Sequence, residues 1–191
     1  ATIVFTYVGL FGEYADAGYG SATRIEQVLL LPVLGINTAI ISIIAQNIGA
    51  KYYDRVEQSY YTSIKYGFFI MLIAGVIIFM SADIVPKFFS SNSDVIIHGS
   101  MYLKISAFIL PSYPIFFLSN GFFMALKKSE KAMLNNIIRN VVVPILSFYI
   151  AKSINADFKT FFYIWGSFQW LISLILFMYV NYYIKKKLTY I

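Results

Sequence analysis

What most restricts this chain is a series of long stretches without a single charged residue. Between Glu26 and Lys51 the sequence QVLLLPVLGINTAIISIIAQNIGA is uncharged, and residues 66–82, 105–126 and 160–184 repeat the pattern. About 20 consecutive apolar residues are needed for a helix to cross the hydrocarbon core of a bilayer. Composition agrees. Hydrophobic residues make up 59% of the chain and charged residues 13%, where an ordinary soluble domain carries roughly 25% charged residues. A core of 191 residues cannot hide that apolar surplus, so much of it is expected to face lipid. The expected fold class is an all-α integral membrane bundle.

Two further segments complete the pattern. AMLNNIIRNVVVPILSFYIA, residues 132–151, is long enough to span but contains Arg139. ATIVFTYVGLFG, at the start, has no basic region of the kind that opens a signal peptide. It reads as a transmembrane helix entered midway, so the chain is expected to be part of a longer protein. The sequence therefore predicts one membrane domain over residues 1–191 with six segments, at about 1–14, 24–49, 56–83, 95–126, 132–152 and 159–185, the first truncated. Gly49 is expected at the C′ position of the second, and Ser93 or Asp94 as the cap of the fourth.

Basic residues orient these segments. Lys51, Arg55, Lys65, Lys127, Lys128, Lys131, Arg139, Lys185, Lys186 and Lys187 fall on one side; Arg24, Lys87, Lys104, Lys152 and Lys159 fall on the other. The bias predicts a multi-pass protein of the cell membrane with its C-terminus in the cytoplasm. The net charge of +6 is then explained by cationic loops against anionic lipid, with no nucleic acid partner. With no cysteine and His98 as the one histidine, neither a thiolate nor an imidazole cluster is available for a metal. No Walker loop, GxSxG, HExxH or GxGD aspartate is present, so an enzyme is not expected.

Polar groups at membrane depth are costly unless paired or facing a cavity, and so mark candidate sites. Arg24 and Glu26 are two residues apart and point about 200° from each other on a helix. Asn37 lies eleven residues beyond Glu26 and returns to within about 20° of it, giving a polar stripe about 16 Å long. On this geometry Glu26 is either a proton carrier or Na⁺ ligand, with Asn37 as its companion, or an interfacial carboxylate reaching outward beside Arg24. Pro32 between them removes an N–H and displaces the Val28 carbonyl, which predicts a bend, either a gate or a static kink. Tyr113 and Asn120 are seven apart on a segment that also holds Pro111 and Pro114, and are candidates for a cavity lining with Pro32. Arg139 is read as an interface residue meeting lipid phosphate, or as a gate reaching Asp54 or Glu57. Gln169 is read as a helix–helix hydrogen-bonding residue. The aromatic side chains offer a lining for flat organic cations, although most are expected to pack or face lipid.

YGSATRIEQVLLLPVLGINTAIISIIAQNIGAKYYDRVEQ, residues 19–58, resembles the start of the C-terminal half of the multidrug and toxic compound extrusion (MATE) family. The R-I-E-Q entry, the Pro/Gly apolar helix and the Q-N-x-G-A end with its D-R carry the likeness, and the later order of segments is similar too. The resemblance implies one six-helix lobe of a two-lobed, V-shaped transporter whose N-terminal lobe lies outside this chain. It implies export of cationic or amphipathic drugs and metabolites in exchange for H⁺ or Na⁺ by alternating access, without a cofactor. Within it, Glu26 and Asn37 are the ion-coupling candidates, Tyr113, Asn120 and Pro32 the cavity candidates, and Arg139 the gate. MALKKSEKAM departs from the family in lacking the glycines of an R-G-x-G turn. Two rival readings are a lipid-linked oligosaccharide flippase of the same superfamily, against which the scarcity of deep Arg and Lys counts, and a non-transporting membrane fragment that pairs with a partner.

Overall fold

The computed structural model describes residues 2–188; Ala1, with which the first expected segment begins, lies outside them. All regular structure among these residues is helical. In chain order the helices are α1 (Thr2–Val8), α2 (Glu13–Gly49), α3 (Tyr53–Ser81), α4 (Ser93–Ile109), α5 (Ser112–Ala125), α6 (Ser129–Ile137), α7 (Val143–Ser153) and α8 (Phe158–Tyr183). Four continuous stretches are long and apolar enough to cross a membrane: Glu13–Gly49, Tyr53–Ser81, Ser129–Ser153 and Phe158–Lys186. The pair α4 and α5 passes the same test as one span bent by 52°.

The bend has a sequence cause. Pro111 and Pro114 lack the amide hydrogens that would continue α4, and the chain breaks at Leu110–Pro111 before starting again as α5. The single segment expected over 95–126 is thus two helices. A second difference lies at the other end of the chain. Residues 15–23, expected as a connection between two segments, are helical and continuous with Glu13 and Tyr14, so α2 is a 37-residue helix. Its start falls at Gly12, whose φ of 106° suits a residue without Cβ. Pro32 lies within α2, which continues through it. At the far end Gly49 is still helical and Lys51 takes the positive φ, where the sequence pointed to Gly49. The cap of α4 is Asn92, whose side chain accepts from the Asp94 and Val95 amides; neither Ser93 nor Asp94 takes that place.

The buried face of α2 runs through Ala15, Tyr19, Ala22, Glu26, Val33, Ile40 and Ile44, steps of three, four and seven that keep one side of a helix inward. α2 packs on α3, α4 and α5, and α8 packs on α4, α5 and α7. The interior falls into two apolar clusters. One, around Tyr19, Tyr102, Phe161 and Phe162, joins α1, α2, α4 and α8; the other, around Tyr60, Phe116, Phe122 and Phe123, joins α2, α3, α5 and α8. The outward face of α3 is apolar as well, with Tyr66, Ile73, Ile77 and Met80 all exposed. A face of that kind is suited to lipid, and this is a multi-pass membrane protein. The turn after α3 is clasped by Lys104, whose Nζ lies 2.8 Å from the Asp83 carboxylate.

Since lipid tails are as apolar as leucine, helices in a membrane associate through close van der Waals packing, which favours small residues at crossings. The α2–α4 crossing is the clearest case. A Cβ on Gly18 would stand 2.7 Å from the Val95 carbonyl oxygen and 2.8 Å from the Gly99 nitrogen. Both are backbone atoms and cannot swing aside. Gly18→Ala is therefore expected to destabilise the fold by about 1–3 kcal/mol, read as a lower melting temperature in detergent. Gly35→Ala, with open space around it, is the control and should melt like the parent.

Candidate functional site: a carboxylate and a guanidinium in one cavity

Glu26 sits midway along the inward stripe of α2 and is only 7% exposed. Its two oxygens are divided between two helices. Tyr102 of α4 donates its hydroxyl to Oε2 at 2.6 Å, and Tyr113 of α5 donates to Oε1 at 2.8 Å. Arg24, by contrast, is exposed. Of the two readings of Glu26 the outward-reaching one is therefore wrong: the side chain is turned into the bundle and both oxygens have interior partners. Helical phase separates the two charges as the sequence indicated.

Arg139 is the larger correction. It is turned into the bundle, away from any lipid phosphate, is 7% exposed, and bonds Gln169 in place of Asp54 or Glu57. Its Nε donates to Gln169 Oε1 on α8 at 2.7 Å. Its guanidinium lies over three rings of α5, with centroids at 4.6 Å for Tyr113, 4.2 Å for Phe116 and 5.0 Å for Phe117. The local backbone explains the turn inward. Residues Ile138–Val142 form a π-helical turn between α6 and α7, with the Val143 amide donating to the Ile138 carbonyl five residues back. Pro144 follows at once and cannot donate to Asn140, which favours a widened turn at this place. The extra residue shifts the helix faces by about 100° relative to an unbroken α-helix. Gln169 is the helix–helix partner that its position implied, with Arg139 as the residue it holds.

These groups share a cavity of about 280 Å³ bounded by α2, α5, the π turn and α8, whose lining includes Glu26, Gln27, Tyr113, Arg139, Trp165 and Gln169. Tyr113 serves both charges: its hydroxyl is committed to Glu26 and its ring lies beneath Arg139. The other sequence candidates lie elsewhere. Pro32 is exposed and off this lining. Asn37 presses its Oδ1 against Gly121 on α5, where a Cβ would collide with it. Asn120 accepts from Asn135 Nδ2 at 3.0 Å, one polar tie between α5 and α6. So Tyr113 and Asn120, seven residues apart, do different work. Among the described residues no group of three or more His, Cys, Asp or Glu could hold a metal ion.

Tyr102 and Trp165 were not singled out from sequence. Tyr102 lies 76 residues from Glu26, and no local spacing announces a contact at that range. A multi-pass helical bundle enclosing a charged, aromatic cavity is an arrangement found in membrane transporters. The family model MatE matches residues 1–150, and the chain belongs to the MatE family of membrane transporters. Among curated proteins, a probable multidrug resistance protein of Bacillus subtilis is 26% identical over 149 residues, which is 78% of this chain and 32% of that protein. An FAD transporter of Shewanella oneidensis is 29% identical over 103 residues, 54% of this chain and 23% of that one. The chain thus aligns with a third or less of these relatives. Among solved structures, an outward-facing multidrug resistance MATE transporter of the MOP superfamily superimposes with a TM-score of 0.93 at 19% identity, over 100% of this chain and 43% of that one. A MOP superfamily transporter from Pyrococcus furiosus gives 0.91 at 20% identity, over 96% and 42%.

Tyr113→Phe keeps the ring under Arg139 but leaves Glu26 Oε1 without its donor. Such a loss at a buried charged group is expected to cost about 1.5–3 kcal/mol. Tyr113→Leu removes the ring as well and should lower the melting temperature further than Phe does.

Proposed function

We propose that this chain is one lobe of a secondary active antiporter that exports cationic or amphipathic compounds in exchange for protons. Glu26 is the coupling group. The observation that carries this reading is the enclosed carboxylate itself, held by two tyrosine hydroxyls on helices other than its own. A lone carboxylate in such a setting takes and yields a proton with a change of charge that the surrounding aromatic wall and Arg139 both feel. Buried ionisable groups in membrane segments mark transport and proton paths for this reason. Na⁺ is the less favoured coupling ion. It needs several oxygen ligands, whereas both Glu26 oxygens are engaged and a guanidinium lines the same cavity. The flippase reading is not favoured either, because Arg139 is the single Arg or Lys among the residues lining this cavity, whereas a pyrophosphate calls for several. In this reading a second lobe completes the path, the protein lies in the cell membrane, and the C-terminus is cytoplasmic.

The test is Glu26→Gln in the intact transporter, reconstituted in vesicles with an imposed proton gradient. Gradient-driven dye efflux is expected to fall to background while expression and melting behaviour hold. Efflux at the parent rate would remove Glu26 from the mechanism.

A further inference from the structure

Two buried donors on the cavity lining have no partner. Arg139 Nη1 and Trp165 Nε1 each lack a hydrogen bond, in side chains that are 7% and 8% exposed. An N–H left unpaired in a dry interior costs free energy, most of all on a charged group. The acidic group facing the same cavity bonds neither of them; its oxygens take the Tyr102 and Tyr113 hydroxyls instead. Gln169 Oε1 accepts from Arg139 Nε and from neither of the two free donors. Both donors belong to residues lining the same cavity: Trp165 lies one turn before Gln169 on α8, and Gln169 is the residue that holds the guanidinium.

We propose that Arg139 Nη1 and Trp165 Nε1 form a subsite for an anionic oxygen group, a carboxylate or phosphate, on the transported compound. A guanidinium edge and an indole N–H are both donors only, so what completes them is an acceptor, and a charged one pairs best with arginine. The face of the guanidinium is closed by Tyr113, Phe116 and Phe117, which keeps an organic cation from using those rings. The aromatic wall therefore holds the chain's own cation in place and presents its edge. This deepens the transporter reading, on which it rests for its consequence: cargo is amphipathic and carries an acid group.

The subsite is read at equilibrium, without transport. In the intact transporter with Trp170 and any tryptophan outside these residues replaced by phenylalanine, Trp165 is the remaining tryptophan, and iodide is both an anion and a quencher of its fluorescence. In non-ionic detergent at constant ionic strength, iodide quenching should saturate. Benzoate and phenyl phosphate should displace iodide, and benzylamine should not. Arg139→Gln should weaken the saturable phase by about tenfold or more, the range for losing a charge-assisted hydrogen bond. Quenching by neutral acrylamide should stay unchanged, which shows that the fold holds. Should Arg139→Gln disturb the fold, Glu26→Gln serves instead: removing the opposing charge should tighten iodide binding several-fold. Linear iodide quenching in the parent would mean that water alone fills the site, and displacement by benzylamine in place of benzoate would mean a cation site. Either result overturns the proposal, whatever Glu26→Gln does to efflux.

Discussion

A carboxylate on the inward stripe of a membrane helix has to be satisfied by its neighbours, and the core of this protein is arranged around that requirement. Glu26 has apolar residues above and below it on α2, so its partners come from elsewhere. α4 delivers Tyr102 and α5 delivers Tyr113. For both hydroxyls to reach one carboxylate, the segment containing them has to change direction between them, and it does so at Leu110–Pro111 with a 52° bend. The close α2–α4 approach at Gly18 then brings the first of the two helices near enough.

The same economy shapes the opposite charge. A guanidinium buried without a carboxylate directly against it needs other compensation. Here that is a neutral amide, three aromatic faces and the proximity of the Glu26 system through Tyr113. Cation–π contacts of this kind gain strength when desolvated. The arrangement also shows why the aromatic residues do not simply form a cage for foreign cations: on α5 the rings are occupied from within.

Much of the architecture could be read from the sequence, because charge-free runs mark the helices long and apolar enough to cross a bilayer. The helices over 56–83, 132–152 and 159–185 lie within a few residues of where hydropathy put them. Glu26 was legible too, since two residues on a helix are enough to send Arg24 and Glu26 to different faces. What failed did so for identifiable reasons. The outward readings of Arg139 assume an unbroken α-helix, and the π turn at Ile138–Val142 breaks that assumption. Pro32 drew attention as a proline at depth, yet it lies on the exposed side of α2, while the prolines at 111 and 114 set the real bend. Tyr102 and Trp165 depend on contacts between distant segments, to which periodicity is blind.

The glycine at position 18 has a mechanical side as well. Where two helices touch backbone to backbone, they have no side-chain cushion through which to slide, so α2 and α4 move together if they move at all. Glu26 and its partner Tyr102 ride on that stiff pair. Arg139 rides on a widened turn, one of the least regular pieces of helix in the molecule. Of the two charges that share the cavity, one is mounted on a beam and the other on a joint.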